Sequence, residues 1–148
     1  MFLLVCALTA VAPGAAAFVL VTPEEAALER AEGEPRRTRG LTPGVRGAPE
    51  IVLVKPRPLK NIPAPTDIEL KFLPTPPSRI VWDSLRVLYG FLELDVTERV
   101  TRHAEKTASG LLAKDAVLPA GSHSITIEIS DDRQRVGRKT FELEIESN

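Results

Sequence analysis

Reactive side chains are scarce in this chain. One cysteine, Cys6, and two histidines, His103 and His123, stand among 148 residues. A lone cysteine excludes an intrachain disulfide. There is no His-x-x-x-His, no paired cysteine and no His–Glu metal spacing, so no zinc-ligand pattern is present. A Gly-x-Ser-x-Gly elbow and a phosphate-binding glycine loop are also missing. Ser122 and His123 are neighbours, but adjacent strand residues point to opposite faces and make a poor nucleophile–base pair. No catalytic residue and no cofactor is expected, and the chain reads as a non-enzyme. Aromatics make up 5% of the chain, too few for a platform on which single-stranded nucleic acid would stack. A net charge of −1 supplies no field to steer a polyanion. Nucleic acid is not an expected partner.

What the chain does carry is alternation. Ile125, Ile127 and Ile129 alternate with Ser124, Thr126, Glu128 and Ser130. Phe141, Leu143 and Ile145 repeat the pattern against Thr140, Glu142 and Glu144. On a strand this places the apolar set on one face and the polar set on the other. Residues 131–139 between the runs are charged except for Gln134, Val136 and Gly137. An antiparallel hairpin with one buried face is expected. Pro119-Ala120-Gly121 reads as the turn that leads into it.

Leu-Pro-Ala-Gly at 118–121, His123, the alternating residues, Asp131 and the closing Phe-x-Leu-x-Ile resemble the last two strands of bacterial immunoglobulin-like domains. The resemblance covers the final third well and the chain from about residue 49 more loosely. It implies a β-sandwich of an exported protein and brings no catalytic residues with it. The frequent Asp-x-x-Gly turn is altered, since Asp131 and Gly137 stand farther apart.

The remaining periodicity agrees. Ile51 to Val54 forms a short apolar run, and Ile68, Leu70 and Phe72 alternate. Residues 55–65, KPRPLKNIPAP, lack the N–H groups a central strand needs and read as an edge segment or a crossover between sheets. Leu85, Val87 and Tyr89 share a face, Gly90 marks a bend or bulge, and Leu92, Leu94 and Val96 resume the alternation. Trp82 is expected to cap the core edge. Residues 97–106 read as a helical turn begun by Thr97 or an irregular crossover, and 111–117 as one more strand. The expected fold is an all-β, immunoglobulin-like antiparallel sandwich of six or seven strands over residues 49–148.

Residues 2–12 are almost wholly apolar, Pro13 and Gly14 follow, and Ala15-Ala16-Ala17 offers the small residues of a signal cleavage site. A signal peptide over 1–17 is expected, with a periplasmic or secreted product. No lysine or arginine precedes the apolar run, and the run continues to Val21, so a membrane anchor over residues 2–22 is the alternative. Between these parts, 18–48 is expected to hold a short helix and a disordered linker. Thr22-Pro23-Glu24-Glu25 has the form of a capping box, but the helix behind it has little apolar surface. The stretch 34–49, rich in Arg, Gly and Pro, lacks apolar periodicity.

Two functional readings come from the surface. The first is a non-catalytic exported module for protein binding or envelope assembly, with an envelope or extracellular protein as partner. The second is a small ion- or anion-binding domain. Its candidates are Arg133, Arg135, Arg138 and Lys139 as a basic hairpin tip that grips an anion or a partner's carboxylate, and Asp131 and Asp132 as weak Ca²⁺ ligands, with Asp95 added if its loop lies at the same end. His123 is expected as a half-exposed residue at the strand entry.

Overall fold

A computed structural model of the chain describes residues 17–31 and 45–147. Nine strands and two helices follow one another among them: β1 (Phe18–Val19), α1 (Pro23–Ala31), β2 (Glu50–Lys55), β3 (Thr66–Leu73), β4 (Ile80–Tyr89), β5 (Leu94–Asp95), α2 (Thr97–His103), β6 (Ala104–Lys106), β7 (Gly110–Val117), β8 (Gly121–Asp131) and β9 (Val136–Ile145). One sheet has the order β1-β7-β3-β2, with β6 also paired to β7, and the other has the order β5-β4-β8-β9. Six of the strands are long, and the two sheets close over one apolar core. The all-β sandwich expected from alternation is therefore the observed architecture.

The alternation sets the inward face. In the β8–β9 ladder Ile125 lies opposite Phe141, and Ile129 lies opposite Gly137. Ile127, Leu143 and Ile145 are buried with them. Strand β4 departs from strict period two. Ile80 and Trp82 pack on the core at the start of the strand and Leu85, Val87 and Tyr89 farther along it, with the register shifting between Val81 and Arg86. The inserted stretch changes the inward parity, as a bulge does. Ser84 Oγ fills the interrupted ladder there by accepting the Ser130 N–H at 2.8 Å. Trp82 caps the core edge as expected, set edge-on to Phe72 with ring centroids 5.6 Å apart.

The proline-rich segment between β2 and β3 crosses to the other sheet. Ile62 bridges to Ile145, its N–H donating to the Glu144 carbonyl at 3.0 Å. This covers one end of the β9 edge. Along the rest of that strand the position opposite Ile127 holds the exposed Lys139, and a charged side chain on an edge strand discourages pairing with a foreign strand.

The folded unit is larger than the expected 49–148. Phe18, Leu20 and Val21 are buried in the core, and β1 pairs in parallel with β7, Phe18 opposite Ala116. The ring of Phe18 stacks on that of His103 at the end of α2, with centroids 4.6 Å apart. An anchor reaching to residue 22 would pull these side chains out of the core they fill. Helix α1 forms because it docks. Its capping box closes, with Thr22 N–H on Glu25 Oε2 at 2.9 Å and Glu25 N–H on Thr22 Oγ1 at 3.2 Å. The Arg99 guanidinium then grips both Glu25 oxygens at 2.8 and 3.0 Å and the Leu20 carbonyl at 2.8 Å. These contacts supply what a nine-residue helix with one buried side chain, Ala26, lacks by itself. The expected signal segment up to Ala16, and residues 32–44 of the expected linker, lie outside the described residues. Among the described residues no helix is long and apolar enough to cross a membrane.

Candidate functional site

The hairpin tip is not the basic cluster that the sequence suggested. The turn is short, because β8 runs to Asp131 and β9 begins at Val136. Arg138 and Lys139 therefore sit in the ladder, opposite Glu128 and Ile127, and on opposite faces of β9. Arg138 reaches across the outer face to Glu128 and Glu93. Lys139 lies over the Phe141 ring, 5.6 Å from its centroid. Arg135 turns inward, with Nε 2.8 Å from Asp131 Oδ2 and an Nη 2.8 Å from Ser78 Oγ. Of the four residues, Arg133 alone sits exposed in the turn.

Asp131 is correspondingly committed. It is 1% exposed, and its Oδ1 accepts the N–H groups of Arg133 at 3.0 Å and Arg135 at 2.9 Å. Burial works to raise its pKa. The Arg135 N–H and guanidinium, with the Arg133 N–H, outweigh that and hold the carboxyl below the usual aspartate range. Both oxygens already face donors, so this carboxylate is a turn lock, while Asp132 beside it is exposed. Asp95 does not join them. It pairs with Leu88 near one end of β4, whereas Asp131 pairs with Ile80 at the other. Among the described residues no group of three or more His, Cys, Asp or Glu side chains is arranged to hold a metal ion.

The opposite end of β8 holds a second buried polar group. His123 is 3% exposed, not half-exposed. Its Nδ1 lies 2.9 Å from the Tyr89 hydroxyl and its Nε2 2.7 Å from the Pro119 carbonyl. A carbonyl only accepts, so Nε2 carries the proton and Tyr89 donates to Nδ1. Burial lowers the pKa of the ring, and burial pushes the Tyr89 hydroxyl up to about 12. The signal for this burial was in the sequence: His123 shares its parity with Ile125, Ile127 and Ile129, and so does Asp131.

Immediately above this pair the chain turns. Residues 90–93 form a tight turn between β4 and β5, so Leu92 does not continue the strand and is exposed. Gly90 has φ +72°, and its N–H donates to the Ser124 carbonyl at 2.8 Å. The carboxylate of Glu29, from α1, packs on Gly90 where any side chain would collide with it. Both its oxygens accept the Phe91 N–H at 2.8 Å. Glu93 at the far side of the turn is paired with Arg138, and Asp95 with Arg86 at 3.2 Å. Glu29, Glu93 and Asp95 all have partners, and the turn presents Phe91, 62% exposed, and Leu92, 47% exposed. Leu28, next to Glu29 on α1, is exposed as well. Sequence reasoning passed over Phe91. The available signal was that it stands on the polar parity of Glu93 and Asp95.

A groove of about 520 Å³ runs beside the proline-rich crossover, lined in part by Lys55, Arg57, Asn61 and Asp67. No aromatic ring lines it, so it lacks the stacked walls that grip a proline-rich peptide.

Comparison with known proteins adds little. No protein-family model and no curated protein matches the sequence. Among solved structures the chain is similar to the crystal structure of CopC from Methylosinus trichosporium OB3b, with 13% identity and a TM-score of 0.40 over 67% of this chain and 98% of that one. At that identity and TM-score the likeness decides nothing about function.

Proposed function

We propose that this chain is a non-catalytic, exported immunoglobulin-like module that binds a protein partner through the Phe91–Leu92 turn, in recognition or in assembly of the envelope. The observation that carries the reading is the exposed Phe91 on a turn whose backbone is held by Glu29 and Ser124. A turn whose backbone is fixed before binding loses less entropy when its aromatic residue docks, and aromatic residues dominate interface energetics. A convex apolar tip fits a partner with an apolar pocket. A lipid surface fits less well, because Glu93 and Asp95 flank the tip and the arginines beside them are already paired. The apolar leading residues support export.

A photo-reactive phenylalanine analogue placed at position 91, in the cells of origin, tests this directly. One discrete cross-linked protein is expected, and it should be absent when the probe sits at exposed Lys114 on the opposite sheet. Cross-links only to lipid, only to a second copy of this chain, or to nothing would overturn the reading. The ion-binding reading has no comparable support, since its central carboxylate and Arg135 are bonded to each other.

A further inference from the structure

Beneath the Phe91 turn lies a titratable ring with nowhere to place a charge. Both nitrogens of His123 are engaged, one with an acceptor and one with a donor. A second proton, on Nδ1, would force the Tyr89 hydroxyl to turn around. Its own proton would then point into a site where Tyr89 is 1% exposed and has no other hydrogen-bond partner among the described residues. An imidazolium and an orphaned hydroxyl, both out of water, are each costly.

The charged groups facing this pair do not relieve it. Glu29 and Arg30 of α1 act on the ring with opposite signs, and Glu29, Arg30 and Glu25 act on Tyr89. Across the ladder His123 meets Leu143, with Glu142 and Glu144 at the neighbouring positions turned to the outer face. Among the described residues no carboxylate bonds to the ring.

The pair is directly joined to the turn. Tyr89 and His123 are each followed by a residue of the Gly90–Ser124 hydrogen bond, and Glu29 fastens the next N–H, that of Phe91. We propose that His123 is a proton-operated release for the Phe91 turn: when its ring ionises, the Tyr89 hydroxyl can no longer donate to it, and residues 90–93 come loose from Ser124 and Glu29. The apolar tip is then held for binding at neutral pH and unfastened in acid. Its meaning as regulation rests on the binding reading above; the release itself does not.

Hydrogen exchange of the full chain, corrected for intrinsic rates, tests the release without any partner. Between pH 7.5 and 5.5 the Gly90 and Phe91 amides are expected to lose protection by about tenfold. Amides of Ile127 and Leu143 should keep theirs, and His123→Gln should abolish the pH dependence. A uniform loss over both sheets would overturn the proposal, as would an unchanged pH dependence in the variant. Should that variant fail to fold, the imidazole nitrogen resonances of the native chain decide instead. They are expected to show the Nε2–H tautomer and to titrate together with the exchange of Gly90; a ring that titrates independently of Gly90 exchange overturns the release. If exchange behaves otherwise but the cross-link at position 91 forms, the release fails and the binding reading stands. Release without a cross-link is the converse.

Discussion

Asp131 and His123 sit at the two ends of β8, both facing inward, both almost wholly buried. Asp131 is satisfied mainly by its own turn: three of its partner groups belong to Arg133 and Arg135, no more than four residues away. His123 depends on Tyr89, 34 residues away, and on the long-range attachment of α1 to this end. One polar group is locked by its own turn and ionised, and the other is held neutral by one partner four residues away, the Pro119 carbonyl, and one in a distant strand, Tyr89. The difference shows why one end of this sandwich closes as a simple hairpin and the other is built from three separated segments. It also places the exposed apolar turn at the end whose structure is the more conditional.

The contrast breaks most readily at the arm that completes the His123 end. Leu20→Ala is expected to lower unfolding free energy by about 2–5 kcal/mol, read from urea denaturation. A change below about 0.5 kcal/mol would mean that the arm is no part of the cooperative unit. Removing the Arg99 clamp comes next. Arg99→Ala should cost roughly 1–2 kcal/mol, and Arg99→Ala with Glu25→Ala should cost clearly less than the two added together. Strict additivity would show the two side chains do not interact.

Acid separates the two ends by pH. The His123 ring has a folded pKa below its ordinary value, so the unfolded chain takes up its proton first. The stability it contributes is complete above the ordinary histidine range and is lost as pH falls from there toward the folded value, by at most about 1.4 kcal/mol per pH unit. Melting curves from pH 7.5 to 5 should show this loss, and His123→Gln should flatten it. The Asp131 carboxyl is likewise depressed, together with those of Glu25 and Asp95. Its contribution is present above the ordinary aspartate range and disappears as pH falls through the folded value. Asp131→Asn should weaken the loss of stability below about pH 4 and leave the window above pH 5 unchanged. An effect confined to the upper window would reverse the assignment of the two ends. The smallest effect on stability belongs to Phe91→Ser, within about 0.5 kcal/mol of the native chain because the side chain is in solvent. The same substitution should abolish binding of the partner.

The strands were readable because burial on one face forces period two. The runs at 123–129 and 141–145 kept it throughout, and their register follows. Reading failed where a single residue broke the period for a local reason. Gly90 with its positive φ turned the chain so that Leu92 left the strand, whereas the face shared by Leu85, Val87 and Tyr89 was read correctly beyond the inserted stretch near Ser84. The candidate site was less legible. Four basic residues close in sequence were read as one cluster, although the strand pleat sends Arg138 and Lys139 to opposite faces and Asp131 draws Arg135 inward.

By itself the amino-acid sequence determined the class of fold, through alternating apolar side chains that only a two-layer sheet buries, and it determined the capping box of α1, whose partners are three residues apart. Tertiary structure alone decided that Phe18, Leu20 and Val21 belong to the core, that His123 is bonded to Tyr89, and that Phe91 stands out on a braced turn. The physical reason is range. Periodicity and capping act between near neighbours, whereas burial of the arm and the bracing by Glu29 and Arg99 join residues more than sixty positions apart.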